Sequence, residues 1–183
     1  MRLQLFNSLE NKLSNLLINP QKTVNVYLCG PTVYDHVHLG NLRPVITFDV
    51  LFRLLLVLGV KVNYVQNITD VDDKIIAKAQ QEKSTEKKIA NRYTKAYLTN
   101  LLRYNVLFPN HFPRVSNHID DIQDFITQLV KKDCTYQTDK EVLFRVFSRE
   151  SYGKLSGQNL VKLRAKSREF IQADKKDDKD FVL

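Results

Sequence analysis

The sequence is poor in cysteine, glycine and proline, and it has no long unbroken apolar run. Cys29 and Cys134 are the only cysteines among 183 residues. Two cysteines cannot build a disulfide framework, and they fit a reducing compartment. Five Gly and five Pro exclude collagen-like and low-complexity chains. The longest strongly apolar stretch, Val45 to Val60, is interrupted by Thr47, Asp49 and Arg53. It is too short and too broken to span a bilayer. The first residues, MRLQLFNSLENKL, lack an apolar run followed by a small-residue cleavage site. The expectation is a cytoplasmic protein with no membrane partner.

Acidic residues are outnumbered. Lys plus Arg is 28 against 20 for Asp plus Glu, a formal net charge of +8. Hydrophobic residues make up 43% and charged residues 26%, which suits a folded domain and excludes global disorder. The excess is uneven. Lys74 to Arg103 holds eight basic and two acidic residues, and Lys154 to Arg168 holds five basic residues and no acid. Such clusters suit a polyphosphate partner; a solvated helix face explains them equally simply.

Residues 24–28, VNVYL, predict a buried strand. A turn-rich stretch, Cys29 to His36, follows. From about Gly40 to Leu58 the apolar positions Val45, Ile46, Phe48, Leu51, Leu54, Leu55 and Leu58 predict a helix with a broad buried face. Pro44 lies near its start and Gly59 where a C-terminal glycine belongs. Residues 60–67, VKVNYVQN, predict a second strand, completing one βαβ unit. The loop into the helix N-terminus is the usual place for a phosphate. Beyond the loop Asn67 to Asp73, helical patterns follow. Ser84 or Thr85 can cap a helix carrying Ile89, Tyr93, Tyr97, Leu101 and Tyr104. Phe108 to Pro113 marks a break. Asn117 can cap a helix with Ile119, Ile122, Ile126, Leu129 and Val130 on one face. TYQ and VLFRVF around TDKE predict a hairpin, and the terminal Phe181, Val182 and Leu183 look like the start of another element.

Three blocks carry chemistry. His38-Leu39-Gly40-Asn41 sits at the loop-to-helix junction, where an imidazole and an amide can hydrogen-bond phosphate oxygens at the positive end of the helix dipole. Gly40 lets a flat ring approach the backbone. Cys29-Gly30-Pro31-Thr32-Val33-Tyr34-Asp35 precedes it, and Asn67-Ile68-Thr69-Asp70-Val71-Asp72-Asp73-Lys74 follows. Taken singly, each piece also has a structural reading: a core histidine, a small buried cysteine, a capping hydroxyl at Thr69. Asp70, Asp72 and Asp73 do not make a calcium loop, because its Gly and distal Glu are missing.

In this order the blocks resemble cysteinyl-tRNA synthetases, a class I aminoacyl-tRNA synthetase family whose signature H-I-G-H often ends in Asn, as at Asn41. The resemblance continues through Pro113-Arg114, His118, Tyr152 to Ser156 and Asp180 to Leu183. It implies an α/β fold: the N-terminal half of a Rossmann-like class I catalytic domain over 1–113, with an inserted connective-peptide lobe over 114–183. It implies activation of L-cysteine by ATP and transfer to the cysteine tRNA. It places His38 and Asn41 on the ATP phosphates, Gly40 beneath the adenine, Gly30 and Thr69 near the substrate cysteine, and Cys29 on a Zn²⁺ ion that binds the substrate thiolate. Zinc prefers sulfur to a serine hydroxyl, which supplies selectivity. His36 is a further ring beside the site, and Cys134 packs.

The family's remaining zinc ligands, the K-M-S-K-S loop and the anticodon-binding domain are not in this sequence. The expectation is therefore an N-terminal fragment, inactive alone and missing a C-terminal half. Other readings are a non-catalytic RNA-binding module using the basic 74–103 surface, a nonfunctional remnant, or a mycothiol ligase. The last family shares the Cys block but differs at Val33 and Lys74.

Overall fold

The structure, a computed structural model, describes residues 3–16, 18–19, 21–157 and 175–183. Most of the basic 154–168 stretch lies outside the described residues. The chain divides into two compact units, Ile18–Ile119 and Met1–Leu17 with Asp120–Leu183.

The Ile18–Ile119 unit is built on the expected βαβ motif. Strand β3 (Val24–Leu28) runs parallel to β4 (Val62–Gln66), with Val24 opposite Val62 and Leu28 opposite Gln66. Helix α1 (Leu39–Val57) makes the crossover. Parallel neighbours require such a connection. Gly59 follows the helix with φ +70°, a left-handed conformation that glycine adopts without a Cβ clash. The buried face of α1 differs from the expected one. It comprises Leu42, Val45, Asp49, Phe52 and Leu55, whereas Ile46 is exposed. Asp49 can be buried because its carboxylate accepts from Arg53 Nε at 2.8 Å and from the Leu107 amide at 2.8 Å.

Helices α2 (Asp73–Gln81) and α3 (Glu86–Arg103) cover the motif. Asp72 caps α2 and Thr85 caps α3 through side-chain oxygens. Ile89, Tyr93, Tyr97 and Leu101 form the inner stripe of α3, while Tyr104 is exposed beyond its end. The core joins these side chains to Leu28, Val45, Phe52, Tyr64, Ile68 and Ile75.

The 108–113 stretch is not a loose break. It runs beside β4: His111 O accepts from Gln66 N at 3.0 Å, and Pro113 O accepts from Ile68 N at 2.8 Å. Prolines cannot donate, but their carbonyls accept, so the stretch contributes isolated bridges rather than a regular strand. The sequence places a boundary between 113 and 114. The compact unit continues to Ile119, consistent with Asp70 accepting from both the Ser116 amide (2.9 Å) and hydroxyl (2.6 Å).

The other unit contains a hairpin that the sequence pattern did not reveal, β1 (Leu3–Asn7) paired antiparallel with β2 (Lys12–Leu16). Helix α4 (Ile119–Lys131) has no buried residue. It follows His118; Asn117, expected as its cap, ends a 3-10 turn instead. The predicted hairpin is present as β5 (Thr135–Gln137) and β6 (Val142–Phe144). Phe181–Val182 forms β7, which joins the same sheet beside β6. Buried Asp180 accepts from the Val146 amide at 2.9 Å, and Cys134 is buried.

Candidate functional site

The N-terminus of α1 is closed by its own side chains. His38 is the N-cap residue, with extended φ −105°, ψ 172°. Its Nδ1 accepts from the Gly40 amide at 3.0 Å, and its own amide donates to Asn41 Oδ1 at 3.0 Å. This reciprocal pair is a capping box made with His and Asn in place of the usual Ser and Glu. Because Nδ1 accepts, the neutral imidazole carries its proton on Nε2. The cap thus leaves two kinds of donor, His38 Nε2–H and the Asn41 Nδ2 group. Gly40 gives the cap its room: a Cβ there would meet His38 Cε1 at 2.8 Å and Nδ1 at 3.0 Å, so the ring would have to shift. The first flat ring that Gly40 admits is that of His38 itself.

This cap borders a cleft of about 180 Å³ lined by Pro31, Thr32, Tyr34, Asp35, His36, Val37, His38, Asn41 and Lys74. Lys74 Nζ lies 5.2 Å from the centroid of the Tyr34 ring. Asp35 turns elsewhere. Its carboxylate accepts from the His36 amide at 2.7 Å and pairs with Lys78 at 3.4 Å. The bond from the His36 amide is the largest cause holding its carboxyl below the usual range; burial opposes it, and Lys78 adds to the lowering. The His36 ring stands edge-on to Tyr93 at 5.2 Å. The cleft therefore combines a helix N-terminus, neutral donors and a lysine, which together suit a phosphate-bearing ligand.

Cys29, Gly30 and Thr69 gather at the C-terminal ends of β3 and β4. Asn67 joins them, a residue that the sequence places at a strand end and in a motif block but to which it assigns no role of its own. Its Oδ1 accepts from the Gly30 amide at 2.7 Å and the Tyr27 hydroxyl at 3.0 Å, and its Nδ2 donates to Thr69 Oγ1 at 3.1 Å. Gly30 presses against the Asn67 carbonyl so closely that no side chain fits. The Thr69 amide donates to Pro31 O, and Thr69 O accepts from the Val33 amide, both at 3.1 Å. Through these bonds the strand ends and the wall of the cleft form one hydrogen-bonded piece. Partners 37 residues apart leave no local signal, so only the fold reveals Asn67's part.

Cys29 is exposed, with Sγ 3.7 Å from Gly30 O. A tetrahedral zinc site needs four donors. Among the described residues no group of three or more His, Cys, Asp or Glu side chains could hold a metal ion. Cys29 alone does not fit zinc. Among the described residues, no helix is long and apolar enough to cross a membrane.

A family model for the catalytic domain of class I (C) tRNA synthetases matches residues 16–183. A cysteine–tRNA ligase of Brevibacillus brevis is 43% identical over 183 residues, 100% of this chain and 39% of that protein. One from Malacoplasma penetrans is 43% identical over 164 residues, 89% of this chain and 37% of its own. One from Mycoplasma capricolum subsp. capricolum is 43% identical over 182 residues, with shares of 99% and 41%. The chain spans about two fifths of the length of these relatives. With the match running through every motif block described above, the chain belongs to the class I (C) tRNA synthetase catalytic-domain family.

Proposed function

We propose that the chain carries the nucleotide-phosphate end of a cysteine–tRNA ligase site. The observation that supports this reading is the capped N-terminus of α1 bordering the Lys74 cleft. His38 Nε2–H and Asn41 Nδ2 donate to phosphate oxygens of ATP, reinforced by the helix dipole. Gly40 admits the adenine beside the cap. Gly30 and Thr69 border the bound cysteine. Asn67 donates to the Thr69 hydroxyl, which leaves the hydroxyl proton free for an acceptor on that substrate.

The reaction is the one that the likeness to cysteine–tRNA ligases implies. A carboxylate oxygen of cysteine attacks the α-phosphorus of ATP. The bond to the bridging oxygen breaks, and pyrophosphate leaves with the electron pair. The product is cysteinyl-adenylate. A terminal ribose hydroxyl of the cysteine tRNA then attacks the acyl carbon, loses its proton, and AMP departs. The chain's residues act by positioning and by stabilising the charge that builds on the phosphates.

Displacement of bound ATP tests the reading. The sulfamoyl analogue of cysteinyl-adenylate displaces ATP from the purified chain. Absence of ATP binding by the folded chain, or failure of the analogue to displace it, contradicts it.

A further inference from the structure

We infer that the solvent face of α3 is a docking surface for the phosphate backbone of RNA. This rests on the reading that the chain's macromolecular partner is a tRNA, and it assigns that partner a surface.

The inner side of α3 is spent on the core through Ile89, Ala90, Tyr93, Thr94, Tyr97 and Leu101. On the opposite side lie Lys88, Arg92, Lys95 and Arg103, all exposed. At 100° per residue these four fall within a sector of about 80°, and they span about 22 Å of helix axis. The sole acid of α3, Glu86, sits in the first turn, where it complements the helix dipole.

The charges on this face are largely uncommitted. Arg92 pairs with Glu82 at 2.6 Å, and Lys78 is shared between Glu82 and Asp35. Among the described residues, Lys88, Lys95 and Arg103 have no acidic partner. A face kept only for solubility mixes signs, since like charges one turn apart repel. A one-sign stripe is complementary to a polyanion. An anionic membrane fits poorly, because the apolar side of α3 is already buried and cannot insert. A phosphate backbone needs only the charges, in a row.

The test uses the whole chain and a fluorescent transcript of cysteine tRNA, titrated between about 50 and about 200 mM salt. The triple variant Lys88→Glu, Lys95→Glu, Arg103→Glu binds on the order of tenfold more weakly or worse, and the slope of log affinity against log salt falls by roughly two to three. A neutral triple (Lys88→Gln, Lys95→Gln, Arg103→Gln) shows the same direction with a smaller loss. It provides the reading if the reversed variant melts early. Unchanged affinity and slope in a folded variant overturn the surface and leave the ligase reading intact. No tRNA binding by the unaltered chain at the lowest salt overturns the surface too, while ATP displacement still judges the ligase reading separately. Binding to phosphatidylserine vesicles in preference to the transcript overturns RNA as the occupant.

Discussion

At the scale of single residues, His38 holds two positions at once: it caps a helix and offers a donor to the cleft. Replacing it with alanine removes the acceptor for the Gly40 amide. The expected cost is about 1 kcal/mol of stability, as for other lost N-caps, together with weaker ATP binding. Urea unfolding and nucleotide titration check the two parts. Asn67→Ala strands the Gly30 amide and releases the Thr69 hydroxyl. These groups are half-buried, so a loss of about 1 kcal/mol is expected, readable in the same urea titration; a loss near zero contradicts the clasp. The motif His38 to Asn41 is legible in the sequence as a helix start. That His38 and Asn41 cap each other is not, because Ser, Thr and Glu are the usual signals for that arrangement.

At the scale of elements, the apolar periodicity located β3, α1, β4, α3 and the β5–β6 hairpin. It failed where exposed or polar groups decide the structure. The β1–β2 hairpin escaped because its apolar residues Leu5, Phe6 and Leu13 are exposed, so no buried face imposes alternation. Its turn relies on Asn11 with φ +51°. Apolar periodicity misplaces the buried side of α1 because Asp49 counts as polar there, whereas a bond to Arg53 one turn on and a long-range bond from Leu107 allow its burial. The 108–113 stretch carries the signals of a break, because its prolines hide the carbonyl bridges to β4. Asp70 fastens the chain that follows, and Asp70→Ala removes both acceptors for Ser116. The expected cost is about 1–3 kcal/mol. Hydrogen exchange should accelerate at the Ile68 and Val115 amides, whose bonds tie the two segments together, and leave α1 unchanged. Uniform acceleration in both places would mean that Asp70 holds the whole unit rather than this junction.

At the scale of the molecule, the Ile18–Ile119 unit has its strongest titration signal in buried tyrosines. Burial, with Asp49 nearby, pushes Tyr64 from 10.0 up to about 12. Burial raises Tyr97 further, against the lowering effect of its bond to Gln66. A phenol held neutral in this way contributes stability that is complete below pH 10 and is lost as pH rises through the folded value. Stability therefore falls between pH 10 and about 12. In an ultraviolet titration of the eight tyrosines, Tyr64 and Tyr97 ionise late, together with unfolding. Early ionisation of Tyr97 in the folded chain contradicts the burial argument.

The same unit carries the central claim, that the cap of α1 is the receiving end for nucleotide phosphate. ATP binding to three forms of the chain tests it most directly: unaltered, Gly40→Ala and Lys74→Met. Gly40→Ala drives the His38 ring from its cap, and Lys74→Met removes the lysine from the cleft. Both variants are predicted to keep the fold by circular dichroism and to bind ATP on the order of tenfold more weakly, as expected from losing a charge-assisted or positioned phosphate contact. Undiminished ATP affinity in both folded variants would place the phosphates elsewhere and contradict the account.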